Sequence, residues 1–528
     1  MSSNRCCGCC SRKSLTCFFA LSGIVLLILG LTFNIGEVLQ KWIQKNIDEE
    51  VQLKADSLAF KEWKNTSVPV YMKVFVFNVT NPDEVMKGES IPNVTQIGPY
   101  SYRELRSNEV LDWNSDKSVV TFMPNRTYVF DTETSCAGCD DQIDSFVTVN
   151  IPLLAVALKV KNTNLTNYPN CLKLLQFTAT GWNVKLFQRK NVHELIWGYT
   201  DVLLGTLVSF KTKECPSSAT EGASSFVQLQ YNNTYYGISA VNTGQDDIQK
   251  VGQFTMWRNQ RHLTWWSDQF ANMINGTDGT QFAPSIKKED ALYVFSPDIC
   301  RSMSFKYEST VRFKQIELFR FLMPRDALKS GDIYPPNKGF CVAPGCLPSG
   351  LMNISLCKPM NPPVVISGPH FYQGNESLLK TVNGLHPMKS AHETFLDVEP
   401  LTGIVMRAVK RVQVNVALES VDTLTETTGK FKSVFLPVLF LEESAEITDE
   451  KAEEFRNNVY KSLIICKVVE YFLIATGLLC LLAAFVLLFV IISCDENGTR
   501  QDKQPLIAKQ SKKGTRQEKQ PLIAKSKE

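Results

Sequence analysis

Histidine is scarce in this chain. There are five in 528 residues, at His193, His262, His370, His386 and His392. His386 and His392 are six apart, a poor helical spacing for one metal ion, and each histidine reads as an ordinary packed or exposed residue. No G-x-S-x-G, H-E-x-x-H or Walker loop occurs, so the common hydrolase, zincin and nucleotide-binding chemistries have no residues to use. The carboxylates look scattered, as on a solvated surface. The sequence therefore predicts no enzyme, no metal and no cofactor. Charge of one sign is lacking too: 56 Lys/Arg against 53 Asp/Glu leave a net +3, which excludes the basic stripe of a nucleic-acid binder. Between the two ends no run approaches the 18 apolar residues of a spanning helix, which excludes a polytopic transporter. A hydrophobic share of 44% and a charged share of 21% exclude a disordered chain.

What is present lies first at the ends. Leu15–Ile35 carries no charge and as a helix is long enough for a bilayer core of about 30 Å. Tyr471–Cys494 is also uncharged. The first run is longer than a signal-peptide core and Asn34, Ile35, Gly36 and Glu37 do not form a small-residue cleavage site, so it reads as an uncleaved anchor. Residues 1–14 hold Arg5, Arg12 and Lys13 and no acid, and residues 495–528 hold nine bases against five acids, leaving 44 bases and 48 acids for the middle. The positive-inside rule then places both tails in the cytosol. The predicted organisation is a cytosolic tail 1–14, a transmembrane helix 15–35, a lumenal or extracellular domain 36–470, a second transmembrane helix 471–494 and a cytosolic tail 495–528.

Sequons fit that topology. Asn65, Asn78, Asn93, Asn125, Asn164, Asn232, Asn275, Asn353 and Asn375 lie in the middle segment, and only Asn497 lies outside it. Cysteines divide by compartment. Cys6, Cys7, Cys9 and Cys10, with Cys17, sit beside the first anchor as S-acylation candidates. They are too crowded for a tetrahedral zinc site. Eight more, Cys136, Cys139, Cys171, Cys215, Cys300, Cys341, Cys346 and Cys357, occupy the middle segment. An even number in an oxidising compartment reads as disulfides, and spacing alone leaves the pairing open. The C-x-x-C of Cys136 and Cys139 lacks the βαβ surroundings of a redox motif.

Along the middle, Glu37–Lys64 continues helically. Val68–Val79 alternates as a strand, and IGPYSYREL, SVVTFM and RTYVFD read as three further short strands. Residues 150–210 turn helical. Residues 335–363, with seven prolines and three cysteines, read as a stapled loop. GIVMRAVKRVQVNV and VFLPVLFLEE alternate again, Pro437 marking an edge or a bulge, and Thr448 caps a helix leading into the second anchor. One large, mostly β domain with a helical insertion is expected.

The C-terminal tail contains a repeat. Residues 498–509 and 514–525 agree at eleven of twelve positions. Each copy places an acid four residues before Leu-Ile: Asp502 with Leu506 and Ile507, and Glu518 with Leu522 and Ile523. This is the pattern of an acidic dileucine signal, an extended peptide whose charge meets a basic patch and whose apolar pair fills a pocket of a clathrin adaptor complex.

Six stretches carry a family likeness: IGPYSY (97–102), ELIWGYTD (194–201), MINGTDG (273–279), DICRS (298–302), GPHFY (368–372) and HETFLDVEPLTG (392–403). Together with the two anchors, the chain resembles the class B scavenger receptor family over nearly its whole length. The resemblance implies an α+β fold: a large antiparallel β-barrel ectodomain with an apical helical bundle and an apolar tunnel, anchored by one transmembrane helix at each end. It further implies Cys300–Cys357 and Cys341–Cys346 pairs, with Cys136–Cys139 and Cys171–Cys215 as the simplest remainder. Ligand capture would occur at the apex, whose segment Asn150–His193 is longer here than the family pattern. The family's lipid-binding lysine has no match at the expected spacing, and Lys159, Lys161, Lys173 and Lys185 stand as candidates. The implied ligands are lipids (cholesterol, fatty acids, phospholipids) or lipoproteins, passed along the tunnel without a chemical step. Water exposure of a sixteen-carbon chain costs ~12 kcal/mol at about 0.8 kcal/mol per CH₂, and a lined conduit removes most of that barrier. The tail favours the lysosomal branch, hence a lysosomal or late-endosomal membrane. A plasma-membrane scavenger receptor and a cargo receptor delivering a lysosomal hydrolase are the alternatives.

Overall fold

The computed structural model describes residues 4–35, 38–162, 169–209, 225–226, 232–358, 361–420 and 428–501. The chain divides into two units, residues 1–43 with 459–528, and residues 44–458.

In the first unit two helices pair. α1 runs Asn4–Ile35 and the C-terminal helix runs Lys461–Gln501. Both contain stretches long and apolar enough to cross a membrane, Arg12–Asn34 and a segment within Asp449–Ser493. Glycines set their spacing. A Cβ on Gly30 would come 2.7 Å from an Ile474 carbon, and one on Gly477 would come 2.9 Å from the Leu27 nitrogen. Small residues let helix backbones approach where lipid offers no hydrophobic drive. Asn34 Nδ2 donates to the buried Glu470 carboxylate across the pair at 3.5 Å.

The second unit is built on antiparallel sheet. Its strands are β1 Val70–Val79, β2 Val94–Trp113, β3 Val119–Phe130, β4 Ser145–Val149, β5 Phe187–Asn191, β6 Tyr199–Thr200, β7 Ser225–Phe226, β8 Thr234–Tyr235, β9 Ser239–Asn242, β10 Phe254–Met256, β11 Ala291–Ser296, β12 Arg301–Phe313, β13 Ile316–Leu322, β14 Met352–Asn353, β15 Val364–Ser367, β16 Phe395–Val398, β17 Val405–Leu418 and β18 Val434–Glu446. The main sheet runs β10-β9-β3-β2-β1-β18-β17-β16-β13-β12-β11. Alternation along β1 puts Val70, Met72 and Val74 on one buried face. SVVTFM and RTYVFD form one continuous strand, β3, because Pro124 lies where β3 meets β2 opposite Asn108 without ending the ladder. Pro437 belongs to an interior strand, yet it lies beyond the β1 pairing, at a register shift against Asn415. It is a bulge, and the missing N–H is tolerated there.

The ends of the sheet, β10 and β11, are joined by residues 276–277. Phe254 N–H donates to the Gly276 carbonyl (2.9 Å), Thr277 N–H to Tyr293 (3.1 Å) and Phe295 N–H to Thr277 (2.9 Å). The sheet is thus nearly closed on itself. Gly276 has φ +100° and a Cβ there would sit 2.1 Å from the Tyr293 oxygen, so only glycine fits this seam.

After α2 Val38–Glu50, α3 Leu58–Lys64 and α4 Pro82–Lys87, the helical insertion comprises α5 Ile151–Asn162, α6 Pro169–Gly181, α7 Val192–Trp197 and α8 Val202–Ser209, with β5 and β6 between them. α7 carries a full capping box, Asn191 with Glu194. The Thr448 hydroxyl caps the helix starting at Asp449.

Candidate functional site

Two groups of polar side chains occupy opposite faces of the sheet. The first begins in the paired row Tyr102, Met72, Glu443 and Lys410, from β2, β1, β18 and β17. On this face Arg106 Nε donates to Glu104 (2.8 Å) and its Nη2 to Glu443; Arg126 of β3 lies 3.5 Å from Glu104. Lys410 Nζ donates to Glu443 (3.3 Å) and to Asp298 (2.6 Å), which lies at the β11–β12 corner. Lys358 Nζ reaches the Asp298 carbonyl at 3.1 Å. β17 and β12 are separated by two strands in the sheet, so these side chains meet across the space that the curved sheet encloses. Lys410 and Asp298 keep 34% and 44% side-chain exposure there, so this space has room for water. Burial alone would raise the Asp298 carboxyl, but Lys410 and Arg126 outweigh it and hold it at about 2. Glu443 is held well below the carboxylate range in the same way, by Lys410, Arg106 and Arg126. Asp298 and Glu443 thus stay ionised near neutrality. The enclosed space is therefore crossed by a charged belt at this level.

The second group lines a cavity of about 630 Å³ on the other face. Phe75 and Phe440 stack at 4.3 Å. Opposite them His370 and His392 stack at 4.6 Å and 13°, and His386 completes a trio. His386 N–H donates to His370 Nδ1 (3.0 Å) and Met388 N–H donates to His392 Nδ1 (2.9 Å). Both Nδ1 atoms are acceptors, so each neutral ring carries its proton on Nε2; that of His370 faces Gln96 Oε1 at 2.6 Å. Burial is the main cause that pushes both rings down to about 4, His392 and His386 adding to it at His370, and Arg411 at His392, where Glu442 opposes. Arg411 Nε donates to Glu442 at 2.7 Å. The cavity is amphipathic, with aromatic walls and a polar side of His, Gln, Arg and Glu.

His370 and His392 are packed and His386 exposed, within the range read for ordinary histidines, and what the sequence does not show is that the three border one cavity. The reading of the carboxylates as surface groups is corrected for several. Glu104, Asp397 and Glu399 are buried. Asp397, fully buried, accepts a bidentate pair from Arg320 (2.7 and 2.7 Å) and two more bonds from Arg407 (2.9 and 2.7 Å). Among the described residues no group of three or more His, Cys, Asp or Glu is placed to hold a metal.

The structure pairs Cys136 with Cys139, Cys300 with Cys357 and Cys341 with Cys346. Cys215 and the Cys171 side chain lie outside the described residues, as do Asn164 and the whole tail motif, Asp502, Leu506, Ile507, Glu518, Leu522 and Ile523. The side chains of Cys6, Cys7, Cys9, Cys10, Lys159 and Lys161 also lie outside them, their backbones being helical. Asn65, Asn93, Asn232 and Asn375 are exposed, and Asn78, Asn125, Asn275 and Asn353 half-buried. Lys173 and Lys185 are exposed on and after α6, apart from both polar groups, near Phe177 and Trp182 at 78% and 67% exposure.

Residues 21–488 match the CD36 family. The chain belongs to the CD36 family. Within this family it is 33% identical to lysosome membrane protein 2 of Mus musculus over 499 residues, 93% of this chain and 99% of the relative. It is likewise 33% identical to the Homo sapiens lysosome membrane protein 2, with the same coverage. Scavenger receptor class B member 1 of Bos taurus is 32% identical over 89% of this chain and 87% of its own length. The CD36-family motifs now have physical reasons. MINGTDG holds the seam, DVEP holds the doubly clamped Asp397, and Trp197 of ELIWGYTD packs on Tyr102 and Tyr128 at 5.3 Å each.

Proposed function

We propose that this CD36-family membrane protein is a glycoprotein of the lysosomal or late-endosomal membrane that binds lipids or lipoprotein-like ligands and passes cholesterol or fatty acid through the space enclosed by its sheet. The observation that carries this reading is the near-closed sheet with side chains still accessible inside it. Ligands would be captured on the helical insertion, where exposed Phe177 and Trp182 offer apolar area beside Lys173 and Lys185. Lys159 and Lys161 belong to the same helical insertion. The charged belt would act as a polar step, favouring lipids whose headgroup exchanges hydrogen bonds with it while the chain stays on the apolar walls.

The nine middle-segment sequons would carry glycans, Cys6, Cys7, Cys9 and Cys10 acyl chains, and Cys171–Cys215 a fourth disulfide. The repeated tail motif would bind clathrin adaptors. The aromatic pair Phe177 and Trp182 also favours a second reading, a cargo receptor that docks a lysosomal hydrolase there.

Three experiments separate these. Changing Leu506, Ile507, Leu522 and Ile523 to Ala should move the protein from lysosomes to the cell surface. Wild type already at the surface would make the plasma-membrane receptor the better account. For the conduit, Lys410→Cys is labelled with a bulky thiol reagent after folding. Lipid transfer should fall on labelling, and unchanged transfer removes the conduit. If Phe177→Ala with Trp182→Ala abolishes hydrolase capture while lipid transfer persists, the second reading holds.

A further inference from the structure

Arg301 is an unusual arginine. Its residue is 8% exposed, yet among the described residues no carboxylate pairs with it. Its Nη1 donates to the Ala327 carbonyl (3.2 Å) and contacts Met352 Sδ (3.4 Å), and its Nε donates weakly to the Ser302 carbonyl (3.4 Å). The Phe340 ring covers one guanidinium face at 3.6 Å. Nη2 has no hydrogen-bond partner among the described residues. Burial is the sole cause that lowers this group, to about 9 from the ordinary 12.5. It is therefore still a cation at physiological pH. A buried charge left without a counter-charge is costly, and proteins normally pair it.

Arg301 borders a cavity of about 30 Å³. Of the side chains around it, Arg301 and Lys329 are basic and none is acidic. Lys329 is already paired with Asp326 at 3.1 Å, so Arg301 holds the unbalanced charge. The rest of the wall includes Ser330, Asn337 and the Cys341–Cys346 disulfide. Gly331 fits only because it lacks a side chain, since a Cβ would lie 2.7 Å from Cys341 Sγ. The disulfide and this close approach fix the size of the space.

We infer that Arg301 and this cavity form a buried site for a small monovalent inorganic anion of chloride size. A water needs about 10–15 Å³, so the space has room for a halide ion or a few waters, and one unbalanced cation matches a monovalent anion better than doubly charged sulfate or phosphate. Charge selects the halide over water, because a charge-assisted bond from the free guanidinium nitrogen is stronger than one to a neutral acceptor. The ion would tie β12, which begins at Arg301, to the loop that carries Ser330, Phe340 and the disulfide.

The test uses the full-length protein in detergent. Melting is followed while chloride is exchanged for bromide, sulfate or gluconate at constant ionic strength, and crystals grown in bromide are examined for anomalous scattering. Chloride and bromide should raise Tm over gluconate by about 2 °C in a saturable way, and sulfate should not. Arg301→Met should lose the difference between chloride and gluconate while keeping any general salt effect. One bromide peak should touch the guanidinium. The bromide peak decides the matter even where Arg301→Met fails to fold. Its absence means that water fills the cavity and overturns the site, as does a wild-type Tm equal in chloride and gluconate.

Discussion

Acid should loosen one wall of the 630 Å³ cavity. His370 and His392 are held at about 4 in the folded protein against 6.5 when unfolded. A base whose folded pKa is depressed contributes stability that is complete above pH 6.5 and lost as the pH falls from there toward 4. Unscreened, the fall from 6.5 to about 4 would be worth about 3 kcal/mol per ring. The rings border a cavity that admits water, which screens the added charges, so we take about 1–2 kcal/mol each. The geometry says where the loss falls. A second proton on either ring must go to Nδ1, the atom that accepts from the backbone N–H of His386 or Met388. Protonation sets two donors against each other and releases the segment 384–392. Arg411 opposes the added charge, while Glu442 favours it. Hydrogen exchange of the full-length protein would be followed by mass spectrometry from about pH 7 to about pH 4.5, after correction for the intrinsic rate. Peptides covering 384–392 should lose protection in acid by roughly tenfold, the effect of 1.4 kcal/mol. His370→Asn with His392→Asn supplies an Oδ1 acceptor near each Nδ1 position that cannot be protonated, and it should flatten the profile. Equal acid sensitivity in wild type and double variant refutes the reasoning.

Other outcomes follow from single contacts. Asp397→Ala leaves Arg320 and Arg407 facing each other without their anion, and denaturant unfolding should show a loss of about 3–5 kcal/mol. Gly276→Ala pushes a methyl into the Tyr293 carbonyl and should lower Tm by several degrees, whereas Gly181→Ala, with nothing within 4 Å, should not destabilise the protein. Endoglycosidase should produce a large drop in mass, and Asn497→Gln should leave the glycosylated mass unchanged; no drop would contradict the proposed topology. Replacing Cys300 and Cys357 with Ser should cost about 2–5 kcal/mol, read as loss of surface or lysosomal protein by pulse-chase.

Local signals carried much of the fold. Alternation exposed β1 and β17, an uncharged run exposed each long terminal helix, and Thr448 marked a helix start by its cap. Short-range reading failed where long-range contacts decide. His370, His386 and His392 come from separate turns and meet only because β15, β17 and the loop after residue 384 converge; no spacing rule connects them. Asp397 reads as a surface acid because its counter-charges come from other strands, Arg320 of β13 and Arg407 of β17, and Glu104 is buried between Arg106 of its own strand and Arg126 of β3. A charge is legible as buried only when its partner is known. The family motifs could be recognised from sequence, but their reasons, such as the seam at Gly276, required the closed sheet.

The pairing of β1 with β18 has a consequence for biosynthesis. Val70 lies opposite Ala445, so β1 must wait for some 370 further residues before one of its two edges is covered. At about 5–20 residues per second, that is roughly 20–70 s. During that time β2 can cover only the other edge, and the open one is a template for wrong pairing. Asn65, Asn78 and Asn93 cluster on and around β1, so sugars added as the chain emerges would stand beside the waiting strand until its partner is made.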